Sequence, residues 1–333
     1  MKQPIITLSG LTMALSIVAG LLGMPAAAQA QSAADYPSKT ISIVVGFPPG
    51  TATDTVARLL CERFITRLGK PCVIDNKAGQ GGSIGAAFAA QAAPDGHTLV
   101  LSATAPLAIN PNLYAKLSYD PRKDFAPIGL VSWLPFVLVT NPRTGINSLQ
   151  EMIARANATP DKLTYASIGN GSTSHLLMSM LLQQSGMKIV HVPYKGSTQS
   201  QTDLIAGQVD FTFDTMLTAM PHVRSGRLKA LATSGKARSP FAPEIPTVAE
   251  QGLAGFDAGA WLGLLAPAGT PRAIVERLNR ELNAVLAEPE TRKRLLDQGS
   301  EPMSSTPEEF TAHIASELTK WGQRVRDSGA KIE

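Results

Sequence analysis

The sequence predicts an α/β fold of two lobes, with the chain crossing between them twice. Short apolar runs alternate with segments whose apolar residues recur at helical spacing. Loops of small residues follow several of these runs in both halves of the chain. Apolar runs around Trp133 and at residues 259–265 indicate the two crossings. The predicted first lobe therefore contains residues 31–133 and 262–333, and the predicted second lobe contains residues 134–261.

Residues 1–30 are predicted to be a secretory signal peptide. Lys2 supplies a short positive region, residues 5–24 are apolar, and residues 28–30 match the A-x-A cleavage pattern. The alternative is a retained membrane anchor, but the helix breaker Pro25 favours cleavage. No later segment of the sequence approaches the ~20 consecutive apolar residues that a membrane span needs. We therefore expect an exported, soluble protein of a bacterial periplasm.

The composition and motifs exclude several classes of function. A formal net charge of +4 without a basic cluster argues against nucleic acid as a partner. The sequence contains no G-x-S-x-G or H-E-x-x-H motif, and its five histidines are scattered. Counted from Gly79, the dinucleotide-binding motif G-x-G-x-x-G fails, because Ile84 stands in place of its third glycine. We therefore expect no enzyme activity, no cofactor and no metal.

The two cysteines, Cys61 and Cys72, lie in the first predicted helix and at the start of the next strand. Two cysteines of an exported chain can form a disulfide if their Cα atoms lie within ~7 Å. The alternative is a pair of buried thiols that pack as small hydrophobic groups. No histidine lies beside them, which argues against a metal site.

Two consecutive strand–loop–helix units begin the first lobe. The strand at residues 41–45 leads through a loop of small residues into a helix that opens at Asp54. The strand at residues 72–75 leads through residues 76–82 into a helix capped by Ser83. Two helix N-termini that face one crevice form an anion site from backbone N–H groups, without Lys or Arg. The pattern therefore predicts a site for a small anion.

The later elements repeat the alternation of strands and helices. A third strand at residues 98–102 precedes a predicted loop at residues 106–111. Ser148 begins a helix with a capping box. The second lobe has predicted strands at residues 163–167, 189–192, 209–213 and 228–233. Predicted helices that begin near Thr270, Pro289 and Thr306 complete the first lobe.

Residues beside the first-lobe loops are candidates for ligand contact, and most have a structural alternative. Phe47 is expected to form a wall of the pocket. The hydroxyl groups of Thr51 and Thr53 either touch the ligand or its waters, or cap a helix. Asp54 is expected to act mainly as a cap, because a carboxylate repels an anion unless it meets an ammonium group or water.

The second lobe is predicted to repeat the anion site at residues 170–173, between a strand and a helix. His175 is either packed or in contact with the ligand. Lys195 reaches the ligand, lies in solvent or stabilises its loop. Asp214 ends a strand, where it is a candidate partner for a ligand ammonium group. The full set of candidate ligand-binding residues is Phe47, Thr51, Thr53, Asp54, Gly81, Gly82, Thr104, Asn170, Gly171, Ser172, Thr173, His175, Tyr194, Lys195 and Asp214.

The chain also carries the motifs of a known family. These motifs are residues 36–37, 76–85, 94–99, 109–114, 119–125, 165–167, 169–172, 175–176 and 192–196. With them the chain resembles the substrate-binding proteins of tripartite tricarboxylate transporters, the Bug receptors, which are related to the citrate-binding receptor of that transporter. The resemblance covers nearly the whole mature chain. In one departure, Thr51 and Ala52 stand where the family usually has Gly and Pro.

The resemblance implies a type II periplasmic-binding-protein fold without catalysis. It implies a small carboxylate held by main-chain groups and ordered water at the first loop of each lobe. It also implies delivery of this ligand to a permease with one large and one small membrane subunit. We expect the protein itself to be a monomer. Two alternatives remain: a sensory carboxylate-binding module of a two-component system, and a periplasmic hydrolase, for which no nucleophile–base pair is seen in the sequence.

Overall fold

The computed structural model describes Met1 and residues 35–328. The predicted signal peptide, with its cleavage pattern at residues 28–30, lies outside the described residues. In residues 35–328, no helix is long and apolar enough to span a membrane.

The described strands form two separate sheets. Their bounds are β1 (Ile41–Val45), β2 (Cys72–Asn76), β3 (Thr98–Ala103), β4 (Phe125–Leu134), β5 (Phe136–Thr140), β6 (Thr164–Ser167), β7 (Val190–Pro193), β8 (Phe211–Thr215), β9 (Lys229–Thr233), β10 (Ala260–Pro267) and β11 (Glu301–Pro302). Within residues 35–328, one sheet has the strand order β11-β4-β10-β3-β1-β2, and the other has the order β7-β6-β8-β5-β9. In the first sheet β1 pairs in parallel with β2 and β3, and in the second β6 pairs in parallel with β7 and β8.

The chain passes between the sheets at two places, as predicted. Strand β4 belongs to the first sheet and β5 to the second, and only Pro135 lies between them. After β9 the chain returns to the first sheet as β10, whose eight residues are all buried. The prediction of two α/β lobes is confirmed. The lobe boundaries at residues 133/134 and 261/262 stay a prediction.

Helices cover both sheets and supply the rest of the core. They are α1 (Ala52–Leu68), α2 (Ser83–Ala90), α3 (Asn110–Leu113), α4 (Leu149–Ala158), α5 (Thr173–Ser185), α6 (Ser197–Ala206), α7 (Met216–Arg224), α8 (Arg272–Ala287), α9 (Pro289–Asp297) and α10 (Pro307–Ser328). Helices α8 and α10 pack on β4, so the end of the described chain completes the first lobe. This places the first turns of α1 and α2 in one lobe, and those of α5 and α6 in the other.

Three local predictions were wrong. Helix α1 begins at Ala52, two residues before the predicted Asp54. Ser83 is the first residue of α2 and not its cap, because its hydroxyl group is paired with Tyr119 and Asn110. The predicted loop at residues 106–111 is helical, with a π-helical turn over Ala105–Ile109 that continues into α3.

A disulfide joins Cys61 of α1 to Cys72 of β2, with the two Cα atoms 5.4 Å apart. It ties the first helix to the strand that follows it, at the edge of the first sheet.

We expect the double variant Cys61→Ala, Cys72→Ala to lose about 3 kcal/mol of unfolding free energy, because the bond restricts the conformations of the unfolded chain. Urea denaturation of both proteins measures this loss. In the oxidised wild type, denaturation should expose no thiol to maleimide, and labelling of two thiols would show that the bond does not form.

Candidate ligand-binding site between the lobes

Loops from the two lobes meet at the carboxyl ends of the parallel strands. A Cβ atom placed on Gly81 would lie 3.0 Å from the carbonyl carbon of Gly171, across the gap between lobes. A Cβ atom placed on Gly196 would lie 2.9 Å from Cγ of Pro48. The hydroxyl group of Tyr114 donates a hydrogen bond of 3.3 Å to the carbonyl of Asn170. The two lobes are therefore in contact, in a closed arrangement.

Asp54 organises the first loop from within. Its carboxylate accepts hydrogen bonds from the Gly50 amide, the Arg58 guanidinium and the Asn76 side-chain amide, all between 2.9 and 3.0 Å. Burial alone would raise the pKa of Asp54, but these three partners hold it below the usual range. With its oxygens engaged in this way, Asp54 fixes the loop that precedes α1. Asn76 also donates to the carbonyl of Phe47, which ties the end of β2 to the same loop.

The other first-lobe candidates lie close to this loop. Thr51 is the N-cap residue of α1 but forms no side-chain cap, since its hydroxyl group donates to the carbonyl of Pro48 at 2.8 Å. That proton is therefore not available to a ligand carboxylate. Thr53 is buried in the first turn of α1. The ring of Phe47 lies against Gly82, where a Cβ atom would be 3.0 Å from Cε2.

In the second lobe, Ser172 caps α5. Its hydroxyl oxygen accepts from the His175 amide at 3.3 Å, and its proton goes to the carbonyl of Gly169 at 2.6 Å. The Gly171 amide donates to Nδ1 of His175 at 3.3 Å, so His175 supports the loop directly. Thr173 is buried in the first turn of α5.

A stack of three rings lies behind this loop. The imidazole of His175 is parallel to that of His191 at 4.3 Å, and His191 stacks on Tyr165 at 4.7 Å. The Ser167 hydroxyl group is 2.7 Å from Nε2 of His191. Burial lowers the pKa of His175 to about 4. Burial and the nearby charge of His175 together lower the pKa of His191 to about 3.

Acidification should therefore destabilise the fold. The unfolded chain takes up protons on these histidines near pH 6.5, whereas the folded chain does so only near pH 3–4. We expect the contribution of the two histidines to the unfolding free energy to have its full value above pH 6.5. This contribution should decrease as the pH falls towards 4. Urea denaturation at several pH values measures this slope. His191→Phe, which keeps a ring in the stack, should have a shallower slope, and an unchanged slope would contradict this assignment.

The remaining second-lobe candidates differ in their surroundings. Asp214 is fully buried, and its carboxylate accepts from the Ser197 hydroxyl at 2.9 Å and the Gln201 amide at 2.9 Å. Burial raises the pKa of Asp214. Tyr194 donates to Asp203 on α6 at 2.8 Å, and Lys195 is exposed. These contacts favour positioning roles for Asp214 and Tyr194.

Thr104 is completely buried at the end of β3. Its hydroxyl oxygen accepts from the backbone amide of Trp261 at 2.8 Å. Thr104 therefore connects β3 to the crossing strand β10, and this bond gives it a structural role beside the cleft.

Sequence reasoning missed several residues that hold the site together: Asn76, Asn110, Tyr114, Ser197 and Gln201. Asn110 resembles Asn76 in its role, because its side-chain amide donates to the carbonyl of Gln80 at 3.0 Å. Asn76 ends a strand beside the predicted loop. Asn76, Asn110 and Tyr114 also lie in the family motifs at residues 76–85 and 109–114, and these were the signals that could have found them.

The arrangement is suited to binding an anion through the main chain. The first-turn N–H groups of a helix have no acceptor within the helix, and the helix dipole adds positive potential there. The N-terminal ends of α1 and α5 lie beside the loops through which the two lobes meet. In the part of the chain that the structure describes, no cluster of three or more His, Cys, Asp or Glu residues could hold a metal ion.

Comparison with known proteins identifies the family. Residues 56–330 match the model of the tripartite tricarboxylate transporter family receptor, TctC. The chain belongs to this family. Its members are substrate-binding receptors and not enzymes, so the expected absence of catalysis agrees with the family. The receptor is 37% identical to protein BugT of Bordetella pertussis over 324 residues, which cover 97% of this chain and 99% of BugT.

Solved structures agree with this assignment and confirm the predicted periplasmic-binding-protein fold. The receptor is 32% identical to Rpa4515 of R. palustris, solved with adipate, with a TM-score of 0.87 over 90% of this chain and all of that one. The periplasmic binding protein BugD has 34% identity and a TM-score of 0.86 over the same shares. MatC of Rhodopseudomonas palustris, solved with bound malate, has 35% identity and a TM-score of 0.83 over 87% of this chain and all of MatC.

Proposed function

We propose that this chain is a periplasmic receptor that binds a small carboxylate between its lobes and delivers it to a tripartite transporter. The observation that carries the proposal is the meeting of two small-residue loops, at Gly81 and Gly171, beside helix N-termini from both lobes. A carboxylate there would accept hydrogen bonds from backbone N–H groups of each lobe and so favour closure. The adipate and malate in two related structures support this ligand class.

The proposed contacts are mainly main-chain groups. Gly81, Gly82, Asn170, Gly171 and Thr173 are the residues that we assign to the ligand or its ordered waters, together with Thr53. The hydroxyl groups of Thr51 and Ser172 bond within their own loops, so their side chains serve mainly to hold those loops. Lys195 is exposed and is assigned no essential contact, because the helix dipoles and N–H groups supply the positive potential.

The cellular context completes the proposal. The signal-peptide pattern of residues 1–30 supports export to the periplasm. The proposed receptor acts as a monomer. Family membership supports a permease with one large and one small membrane subunit as the partner. Mass spectrometry of the exported protein tests the first point, since a mature chain that begins at Met1 would contradict cleavage after Ala30.

A thermal-shift screen tests the ligand class. The panel contains mono-, di- and tricarboxylates, aromatic acids, acidic amino acids, and neutral sugars as controls. An acid at a hundredfold excess over its Kd should add about 2.7 kcal/mol to the unfolding free energy. Lys195→Ala should keep this stabilisation. Stabilisation by a sugar alone, or its loss in Lys195→Ala, would contradict the proposed main-chain carboxylate site.

A further inference from the structure

The peptide group that joins Asn170 to Gly171 lies in the contact between the two lobes. A Cβ atom placed on Gly81 of the first lobe would lie 3.1 Å from the carbonyl oxygen of Asn170. Gly171 itself has φ +75°, in the left-handed region that favours glycine. The second-lobe loop therefore presents a short stretch of bare backbone to the first lobe.

Two side chains from different lobes hold this one peptide group. The hydroxyl group of Tyr114, in the first lobe, donates to the Asn170 carbonyl at 3.3 Å. On the other side, the N–H group of Gly171 donates to Nδ1 of His175, on α5 of the second lobe, also at 3.3 Å. The carbonyl and the N–H group belong to one rigid plane and point in opposite directions. A rotation of the peptide group that breaks one of these bonds therefore breaks the other.

His175 is held in the state that its bond requires. Burial lowers the pKa of His175 to about 4, so the ring is neutral at pH 7. A neutral imidazole has one nitrogen that accepts a hydrogen bond and one that carries a proton. Because Nδ1 accepts from Gly171, the proton lies on Nε2. The parallel stack on His191, at 4.3 Å, restricts the rotation of the ring.

Tyr114 is anchored to the first-lobe loop that faces this peptide group. Its N–H group donates to the carbonyl of Asn110 at 3.0 Å, and the side-chain amide of Asn110 donates to the carbonyl of Gln80, the residue before Gly81. Burial raises the pKa of Tyr114, which keeps the proton on its hydroxyl group. Tyr114 and the loop at Gly81 therefore reach the Asn170 carbonyl from one connected framework.

We propose that Tyr114 and His175 are positioning residues that act through the peptide group of residues 170–171 as a latch for the closed lobes. His175 directs the N–H group into the second lobe, so the carbonyl faces the first lobe, where Tyr114 bonds it. In the rotated peptide group the carbonyl oxygen would instead face the acceptor nitrogen of the ring. The inference rests on the proposed function in one respect, because the latch slows release of the bound carboxylate.

Stopped-flow kinetics with adipate and with malate, the acids in two related structures, measures the latch. Tyr114→Phe should raise the dissociation rate constant about fivefold, the effect of one neutral hydrogen bond, and should leave the association rate constant unchanged. His175→Phe keeps a ring in the stack but removes the acceptor, so it should have the same effect. Wild-type dissociation in either variant would overturn the latch.

Two control variants remove contacts of the same kind elsewhere. Tyr36→Phe removes a hydroxyl group that donates to the carbonyl of Gly96 at 2.6 Å within the first lobe. It should lower stability and leave both rate constants unchanged. His191→Phe makes the same ring substitution one ring further from the loop and should also release the acid as wild type does. Faster release from both controls would show a general loss of structure and would overturn the latch.

The double variant Tyr114→Phe, His175→Phe shows whether the two residues act through one peptide group. It should release the acid about fivefold faster than wild type, as each single variant does, because the second substitution has no bond left to break. Two independent contacts would instead multiply to about 25-fold. A multiplied effect would therefore overturn the coupling through residues 170–171.

A measurement without any acid separates the latch from the ligand class. In NMR spectra at pH 7, the ring nitrogens of His175 should show a neutral imidazole with its proton on Nε2. A proton on Nδ1, or a charged ring, would overturn the latch, because neither ring can accept from Gly171. If neither acid binds, the proposed ligand class loses its support, while the ring signals of His175 still decide for or against the latch.

Discussion

Gly81→Val should reduce affinity for the carboxylate ligand by more than about a hundredfold, which corresponds to about 2.8 kcal/mol of binding free energy. Gly81 has φ +58° and lies where a Cβ atom would be 3.0 Å from the carbonyl carbon of Gly171 and 3.1 Å from the Asn170 oxygen. These neighbours are backbone atoms of the other lobe, and a branched side chain would hold the lobes apart. Calorimetry with an acid that stabilises the wild type measures the loss.

Gly145→Val is the matched control for backbone strain. Gly145 also has a positive φ, +70°, but a Cβ atom there would meet nothing within 4 Å. Both variants should lose roughly 1–2 kcal/mol of stability from the strained backbone, but Gly145→Val should bind the acid as wild type. Small-angle X-ray scattering should show that only Gly81→Val fails to close with ligand. Near-normal affinity in Gly81→Val would show that binding does not need the contact between these loops.

The general fold could be predicted because its signals are local. The sequence patterns that begin at residue 41 and at Cys72 each predict a strand, a tight loop and a helix within about 20 residues. Pro135 separates two apolar runs, and it marks the passage from β4 to β5. Parallel strands place their carboxyl ends at one edge, so the position of the loops followed from the order of elements.

The error at residues 106–111 also has a local cause. Proline and asparagine are common in loops, and that composition led to the prediction. Pro106 and Pro111 each lie in the first turn of a helical segment, where a missing N–H group costs little. Asn110 turns inward and bonds Gln80 and Ser83, which stabilises the helical path.

The contacts that hold the candidate site could not be predicted from the sequence. Asn76 meets Asp54 across 22 residues, and Tyr114 meets Asn170 across 56 residues and between lobes. Nothing in the sequence pattern specifies such pairs, because each depends on how whole elements pack. For the same reason the hydroxyl group of Thr51 was a candidate ligand contact, although its proton is directed to Pro48.

Glu317→Ala should have the largest effect on stability, a loss of about 3–5 kcal/mol from two hydrogen bonds to a charged acceptor. Glu317 of α10 is 8% exposed, and its Oε2 accepts from the indole N–H groups of Trp261 and Trp321, both at 3.0 Å. Trp261 lies in the crossing strand β10, so this carboxylate joins α10 to the strand through which the chain returns to the first lobe. Alanine would leave two buried N–H donors without an acceptor and a cavity beside them. Urea denaturation measures the loss.

Two variants separate this role from a simple surface charge. Glu317→Gln keeps an oxygen acceptor without the charge, so it should lose about half as much stability as alanine. Lys320→Ala removes the cation that lies 3.4 Å from Oε1 of Glu317, but that lysine side chain is 45% exposed, and we expect a change below about 1 kcal/mol. If Lys320→Ala were as damaging as Glu317→Ala, the ion pair and not the pair of indole bonds would hold α10 in place. Equal losses in Glu317→Gln and Glu317→Ala would mean that the stabilisation requires the negative charge, because a neutral amide oxygen can still accept from an indole N–H group.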